Sequence, residues 1–147
     1  MGNAETSYVV DASVGIKLFL KEPFNEQAFW LFEGLKNSPP LVLHVPDLFF
    51  IECTNILWKY TWRFGRNLED SLADLRNLRK LKLEITSTTE LIEEALSIAI
   101  DKHLTAYDAC YAVLAYREGI KLVTADKQIC KQIPWAVWLG NLDTKRK

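Results

Sequence analysis

The chain has 147 residues, of which 49% are hydrophobic and 25% are charged, and 18 basic residues stand against 19 acidic ones for a formal net charge of -1. A chain of this length and composition buries a core of ordinary size, which excludes a disordered or fibrous protein. The near-neutral charge excludes a uniformly basic, histone-like surface, although a local basic patch stays compatible with nucleic-acid binding.

The three cysteines, Cys53, Cys110 and Cys130, are too few and too widely spaced for a disulfide framework, and no CxxC pair indicates zinc. We interpret them as reduced thiols in a reducing compartment. The longest apolar stretches are far shorter than a membrane-spanning helix, and no secretory signal pattern is present. We therefore expect a cytoplasmic protein that does not enter a membrane.

Strands and helices are predicted to alternate along the chain, because short β-rich apolar runs are separated by segments with helical periodicity. In chain order the pattern predicts strand 8–10, a helical segment from 13 to about 21, helix 26–36, strand 41–45, helix 48–64, helix 68–81, strand 83–86, helix 88–100, helix 106–118, strand 121–124, helix 127–132 and strand 136–139. This alternation predicts a three-layer α/β/α domain with a mostly parallel five-stranded sheet.

Several helix boundaries carry their own signals. Gly65 and Gly119 are natural helix ends, and Asn67 is a candidate cap for the helix that follows it. The tetrapeptides 87–90 (STTE) and 105–108 (TAYD) both have the form of a capping box, so each is predicted to open a helix.

Four acidic residues lie at positions in the predicted elements where a surface charge is not expected. Asp11 ends the first strand and Asp126 follows the fourth, and in an open parallel sheet this edge is where ligands bind. Asp108 lies in the first turn of a helix whose next residues are apolar. Glu52 lies inside the apolar run 48–53, where a solvated helix face would carry more charge.

Converging carboxylates repel one another, and burying them is costly unless they are paired or bound to a metal. A hard divalent cation such as Mg²⁺ or Mn²⁺ relieves this repulsion, because it prefers carboxylate oxygens and water. Such an ion polarises a phosphoryl oxygen and lowers the pKa of a bound water. The four acids therefore indicate phosphodiester hydrolysis.

Each acid also has a purely structural interpretation. Asp108 is the third helical residue of a capping box, and Asp11 and Asp126 are acids at helix N-termini, where the helix dipole favours them. Glu52 could point outward from a partly buried helix. The constellation is a stronger signal than any one of its members, because the fold itself brings two of them to the same sheet edge.

Four segments in the same order carry a resemblance to a known family: YVVDAS at 8–13, PDLFFIECTNIL at 46–57, LTAYDACYAVLA at 104–115 and KLVTADK at 121–127. The sequence resembles the PIN-domain nucleases, and among them the VapC-type toxins of toxin–antitoxin pairs. Thr54 departs from the pattern, since an apolar residue usually follows the helix acid at that place.

The resemblance implies a PIN-like domain over 1–147 with flexible ends at 1–6 and 141–147. It implies an acidic metal site for Mg²⁺ or Mn²⁺ with supporting polar groups. The acids are Asp11, Glu52, Asp108 and Asp126, and the polar groups are Ser13, Asn55 and Thr124. It further implies an endoribonuclease that acts on RNA, forms a homodimer and is covered by an antitoxin. Apart from the resemblance, Lys127 and Lys131 follow Asp126 closely in the sequence and are candidates to contact RNA phosphates, although a solvated helix face is their default interpretation.

The segment 58–64 (WKYTWRF) is unusually aromatic. Trp58 and Trp62 are four residues apart, so they share one helix face, and we favour packing in a helical hairpin or a dimer face. The other interpretation is a platform for unpaired bases, with Arg63 and Arg66 on phosphates.

Two other functions compete with a nuclease. Asp11 could be the phosphoacceptor of a phosphotransfer or phosphatase domain, although such sites place a second acid close by and here Ala12 and Ser13 follow. The chain could also be a non-catalytic PIN-like module that binds RNA or protein, although the presence of all four acids disfavours a decayed site.

Overall fold

The computed structural model describes residues 7–145, so the predicted flexible start at 1–6 and the last two residues of the predicted flexible end at 141–147 lie outside the described residues. Five strands form one sheet in the order β3-β2-β1-β4-β5, and each neighbouring pair is parallel. The strands are β1 Ser7–Val10, β2 Val42–Pro46, β3 Glu84–Thr86, β4 Lys121–Thr124 and β5 Ala136–Trp138. The predicted five-stranded parallel sheet is therefore confirmed.

Seven α-helices connect and cover these strands, as the predicted three-layer α/β/α architecture requires. They are α1 Ala12–Gly15, α2 Asn25–Glu33, α3 Leu48–Phe64, α4 Leu68–Arg79, α5 Ile92–Lys102, α6 Ala106–Glu118 and α7 Lys127–Gln132. Short 3₁₀ turns extend the first two helices, at Ile16–Leu18 and Gly34–Lys36.

Three of the predicted helix boundaries follow from their caps. The Asn67 side chain accepts a hydrogen bond from the Asp70 amide at 3.2 Å, and the Thr105 hydroxyl accepts one from the Asp108 amide at 3.1 Å. Gly65, which ends α3, has φ +67°, a left-handed conformation that glycine adopts without a Cβ penalty.

The prediction that an α-helix begins at the 87–90 capping box is wrong. Thr88–Glu90 forms a 3₁₀ turn and α5 begins only at Ile92, while the Ser87 hydroxyl contacts that of Thr89 at 2.8 Å. Thr88 instead bonds across the fold to Asp47 at the start of α3. The Ser87 hydroxyl, which the local pattern assigns to a cap, therefore pairs with Thr89 instead, and its neighbour Thr88 is held by a long-range partner.

The core lies around the two central strands and α6. Val9, Val10, Leu122 and Val123 are completely buried, as expected for strands covered on both faces. All seven residues of α6 from 109 to 115 are buried too, so this helix is enclosed by the sheet and its neighbours. No helix within residues 7–145 combines the length and apolar character that crossing a bilayer requires.

Candidate active site

The site lies where the strand order reverses. β2 and β3 lie on one side of β1, and β4 and β5 lie on the other, so the carboxyl ends of β1 and β4 are adjacent at the switch point of the sheet. Open parallel sheets bind ligands in this crevice. Asp11 directly follows β1 and Asp126 lies two residues beyond β4, as the sequence predicts.

Asp11 is held in place from several directions. Its side chain caps α1, with Oδ1 accepting from the Ser13 hydroxyl at 2.5 Å and from the Val14 amide at 3.3 Å. Only 5% of the residue is exposed. The pKa of Asp11 is raised to about 6, mainly by burial and to a smaller extent by the charge of nearby Asp108, against the hydrogen bonds from Ser13 and Thr124 that favour the ionised form.

Ser13 and Thr124 join the two strand ends. The Ser13 Oγ that donates to Asp11 accepts a hydrogen bond from the Ala125 amide at 3.0 Å. The fully buried Thr124 hydroxyl accepts from the Asp126 amide at 3.1 Å. Ser13 and Thr124, two of the three residues predicted as supporting groups, therefore lie where they position an acid.

Glu52 lies in the second turn of α3, half-buried beside α6. Its Oε1 accepts a hydrogen bond from the Tyr111 hydroxyl at 2.6 Å. Burial raises the pKa of the Glu52 carboxyl, the bond from Tyr111 opposes the rise, and the charge of Asp108 adds to it. Glu52 is therefore drawn into the fold rather than pointing to solvent.

Asp108 stands between the other acids. It lies in the first turn of α6, and burial raises its pKa against a hydrogen bond from Thr105, with a further rise from the charge of Asp126. The charge of Asp108 in turn raises the pKa of both Asp11 and Glu52. Asp108 is thus the common electrostatic neighbour of the other three carboxylates.

Asp126 is the most exposed of the four. Its Oδ1 caps the short helix α7 by accepting from the Gln128 amide at 2.8 Å, and its own amide is fixed by Thr124. The capping interpretation of Asp126 is therefore confirmed, and it is compatible with a site role, because a carboxylate that caps a helix with one oxygen still has a second oxygen.

All four acids line one cleft of about 770 Å³. Ser13 and Asn55 also line this cleft. The lining further includes residues of α3 and α6 that were not predicted as site residues: Ile51, Thr54, Ile56, Tyr107 and Tyr111. Trp58 lines it as well. The predicted phosphate-contacting lysines lie outside this lining: the Lys127 ammonium lies over the Trp138 ring, 4.2 Å from its centroid, and Lys131 is exposed on α7.

The donor set fits a hard divalent cation by its chemistry. It consists of carboxylate, hydroxyl and amide oxygens, which Mg²⁺ and Mn²⁺ prefer. Within residues 7–145, no three His, Cys, Asp or Glu side chains already stand in metal-ligating positions. In proteins generally, Mg²⁺ is held by one or two carboxylates and keeps several of its waters.

Sequence reasoning missed Tyr111 as a site residue. It stands in an apolar run and is 1% exposed, so its pattern is that of a core residue. Its position three residues after Asp108 was the available signal, because residues i and i+3 share a helix face. That spacing turns the Tyr111 hydroxyl toward Glu52 on the facing helix.

Comparison with known proteins agrees with this geometry. The sequence pattern of the PIN domain matches residues 8–133. The chain is 34% identical over 131 residues to Ribonuclease VapC3 from Pyrobaculum aerophilum, covering 86% of this chain and 94% of that one. It is 35% identical over 100 residues to Exonuclease VapC9 from the same organism, covering 65% of this chain and 70% of that one.

Solved structures show the same fold. PAE2754 from P. aerophilum superposes with a TM-score of 0.68 at 30% identity, covering 92% of each chain. A toxin–antitoxin complex from Klebsiella pneumoniae superposes with a TM-score of 0.63 at 18% identity, covering 88% of this chain and 95% of that one. The fold and the acidic cleft define a PIN-type α/β domain, and the chain belongs to the PIN domain family. Within that family, the relatives it matches by sequence carry VapC names.

Proposed function

We propose that the chain is a Mg²⁺- or Mn²⁺-dependent endoribonuclease and the toxin of a VapBC-type pair. The observation that carries the proposal is the convergence of four carboxylates on one cleft at the switch point of the sheet. The similarity to a protein named Ribonuclease VapC3, at 34% identity over 94% of its length, supports the same activity.

The chemistry of the cleft suits hydrolysis without a covalent intermediate. A bound divalent cation would lower the pKa of a water and polarise a phosphoryl oxygen. Asp11 and Asp108 are the candidates to hold it, because both line the cleft, Asp11 is buried, Asp108 is half-buried, and the charge of Asp108 raises the pKa of Asp11. Ser13 and Thr124 fix the orientation of Asp11, and Tyr111 does the same for Glu52.

Glu52 and Asp126 flank that pair and differ in exposure. Glu52 is half-buried with a raised pKa, which suits a group that accepts a proton from an attacking water. Asp126 is exposed at the mouth of the cleft, where it remains able to orient a water or a second ion. A phosphotransfer role for Asp11 is disfavoured, because the carboxyl is buried and its Oδ1 accepts two hydrogen bonds.

RNA cleavage by the purified chain tests this function. A labelled single-stranded RNA is incubated with Mg²⁺, with Mn²⁺ or with EDTA, and cleavage is expected only with a divalent ion. The double variant Asp11→Asn, Asp108→Asn should lose more than about a hundredfold in rate, since even changes to groups that only support metal ligands cost 10–100-fold.

The matched control is Asp101→Asn, which removes an exposed carboxylate from α5, away from the cleft. This variant should cleave like the parent chain. Cleavage by the double variant at the parental rate, or cleavage in EDTA, would show that the acids are not the metal-dependent catalytic site.

The proposed enzyme is a homodimer that an antitoxin covers in the cytoplasm. An exposed apolar stripe on α5, formed by Ile92, Leu96 and Ile100, supports a contact with a second copy. Complexes of related fold are described as toxin–antitoxin assemblies. The three free thiols suit a reducing compartment. Size-exclusion chromatography with light scattering of the purified chain tests the dimer.

A further inference from the structure

Two tryptophans form an exposed stack on α3. The Trp58 and Trp62 rings are nearly parallel, at 7°, with centroids 5.6 Å apart. Trp58 is 54% exposed and Trp62 is 70% exposed. The predicted packing of these rings in a helical hairpin is therefore wrong for the described residues, because both rings keep a large free surface, whereas packing in a dimer face stays a prediction.

The stack continues the wall of the acidic cleft. Trp58 lines the cleft together with Ile51 and Asn55, and the spacing 51, 55, 58, 62 keeps all four residues on one face of α3. At 1.5 Å per residue, Trp58 lies about 9 Å farther along the helix axis than Glu52. A polymer that enters the cleft therefore meets the aromatic rings next.

The charge of α3 changes sign along the same path. Beyond Glu52 the helix carries no acid, and it carries two cations, Lys59 and Arg63. Both are exposed and neither forms an ion pair within residues 7–145. Arg66, the other arginine considered at the sequence level, is not free, because it bonds Ser71 at 2.7 Å and pairs with Asp74 at 2.5 Å.

We propose that Trp58 and Trp62 form a stacking platform for unpaired RNA bases that flank the cleaved bond, with Lys59 and Arg63 on the adjoining phosphates. The assignment rests on the proposed nuclease function and names the substrate class: single-stranded RNA. Exposed aromatic rings bind the π-face of any base, and cations alongside them track the backbone. The bases of a duplex are already stacked on one another, so a duplex does not offer them to the platform.

A binding measurement without cleavage tests the platform directly. In EDTA, a labelled 12-nucleotide oligouridylate is titrated with the parent chain, with Trp58→Leu, with Trp62→Leu and with Phe64→Leu. Each tryptophan variant should bind about tenfold or more weakly, because stacking is lost while an apolar side chain is kept. Trp58→Tyr should retain most of the affinity, since a ring remains.

Phe64→Leu is the matched control. Phe64 is an aromatic residue on α3 with 69% exposure, close to that of Trp62, but it lies toward Tyr60 rather than on the cleft side. Its replacement should leave binding unchanged. A blunt RNA duplex of equal length should bind the parent chain more weakly than the single strand, and the tryptophan changes should not affect that weaker binding.

Kinetics separate this inference from the proposed function. With Mg²⁺ or Mn²⁺, the tryptophan variants should raise KM about tenfold with kcat within about twofold of the parent. Single-strand binding that depends on the tryptophans in a chain that cleaves no RNA would retain the platform and reject the nuclease. Equal binding and equal KM in parent, Trp58→Leu and Trp62→Leu would overturn the platform and leave the face to a protein partner.

Discussion

Asp11 carries the largest electrostatic cost in the cleft. It is 5% exposed, it feels the charge of Asp108, and three hydrogen bonds from Ser13, Thr124 and Val14 only partly compensate. Its pKa is raised from 3.8 to about 6, which means that the fold disfavours its ionised form. Such a group does not stabilise the metal-free fold, which agrees with the proposed role of Asp11 in holding a cation.

Asp11→Asn is therefore expected to stabilise the metal-free protein. The folded pKa lies above the unfolded one, so the penalty is absent below about pH 4, grows as pH rises to 6 and is then constant. At 1.36 kcal/mol per unit, the variant should gain up to about 3 kcal/mol at pH 8 and almost nothing at pH 4. Urea unfolding in EDTA at the two pH values measures this. An equal difference at both would contradict the assignment.

Tyr111 gives a second prediction at this scale. Its hydroxyl donates to Glu52 at 2.6 Å, so Tyr111→Phe frees that carboxylate to rotate while keeping the buried ring. The affinity for Mn²⁺, measured by calorimetry, should fall about 10–100-fold. Tyr116→Phe on the same helix is the control, because Tyr116 is 66% exposed and its ring only contacts Trp135. An unchanged affinity in Tyr111→Phe would remove the positioning role.

Among the helices and strands, the sequence reveals the boundaries that local signals set, but it does not reveal the long-range contacts. Helix α3 was predicted with its observed bounds, because its apolar periodicity and Gly65 act locally. The two capping-box patterns had different outcomes: Thr105 caps α6, whereas Ser87 does not cap α5, which begins at Ile92. At the second, the Ser87 hydroxyl contacts Thr89 instead of capping a helix, and its neighbour Thr88 bonds to Asp47, 41 residues away, a partner that no local pattern reveals.

The hydrogen bonds between Asp47 and Thr88 join the start of α3 to the segment that follows β3. Their contribution to the stability of the fold should be measurable. The Asp47 carboxylate accepts from the Thr88 amide at 2.8 Å and from its hydroxyl, and the Thr88 hydroxyl accepts from the Leu48 amide at 3.1 Å. These bonds lower the pKa of Asp47. Thr88→Val should cost about 1 kcal/mol, as the loss of a helix cap does.

The pH dependence checks the cause of this loss. Because the folded pKa of Asp47 lies below its unfolded value, its contribution is present above about pH 4 and disappears as pH falls through the folded pKa. The difference in Tm between parent and Thr88→Val should therefore be constant from pH 5 to 8 and shrink below pH 4. Thr89→Val, which alters an exposed neighbour, should show no such trend.

Over the whole molecule, the topology makes the acidic site predictable. Asp11 and Asp126 are 115 residues apart, and the sequence places them together only because parallel strands end at one edge of the sheet. Helix spacing indicates which face carries Tyr111, Trp58 and Trp62, but the Tyr111 bond to Glu52, the parallel stacking of the two tryptophans and the Lys127–Trp138 contact were not predictable. Each depends on rotamers and helix packing that sequence spacing does not determine.

The net charge of -1 conceals an uneven distribution of acidic and basic residues. We expect the clustered acids to make the stability of the chain depend on a divalent ion. Four carboxylates share one cleft, and three of them have raised pKa values. An ion that binds only the folded chain adds about 2.7 kcal/mol at a concentration 100 times its Kd, which is a rise in Tm of roughly 5–10 °C. Mn²⁺ should produce this rise in the parent chain and in Asp101→Asn.

The double variant Asp11→Asn, Asp108→Asn should start from a higher Tm in EDTA and gain almost nothing from Mn²⁺, because both the repulsion and the ligands are gone. Scanning calorimetry with KCl at matched ionic strength separates binding from screening, since screening acts on exposed charges anywhere on the surface. A rise of the same size in the double variant, or in KCl alone, would show that the ion is not held by this cleft. A rise in Tm that occurs only in chains with all four acids would show that a cation bound in this cleft offsets the repulsion between the carboxylates.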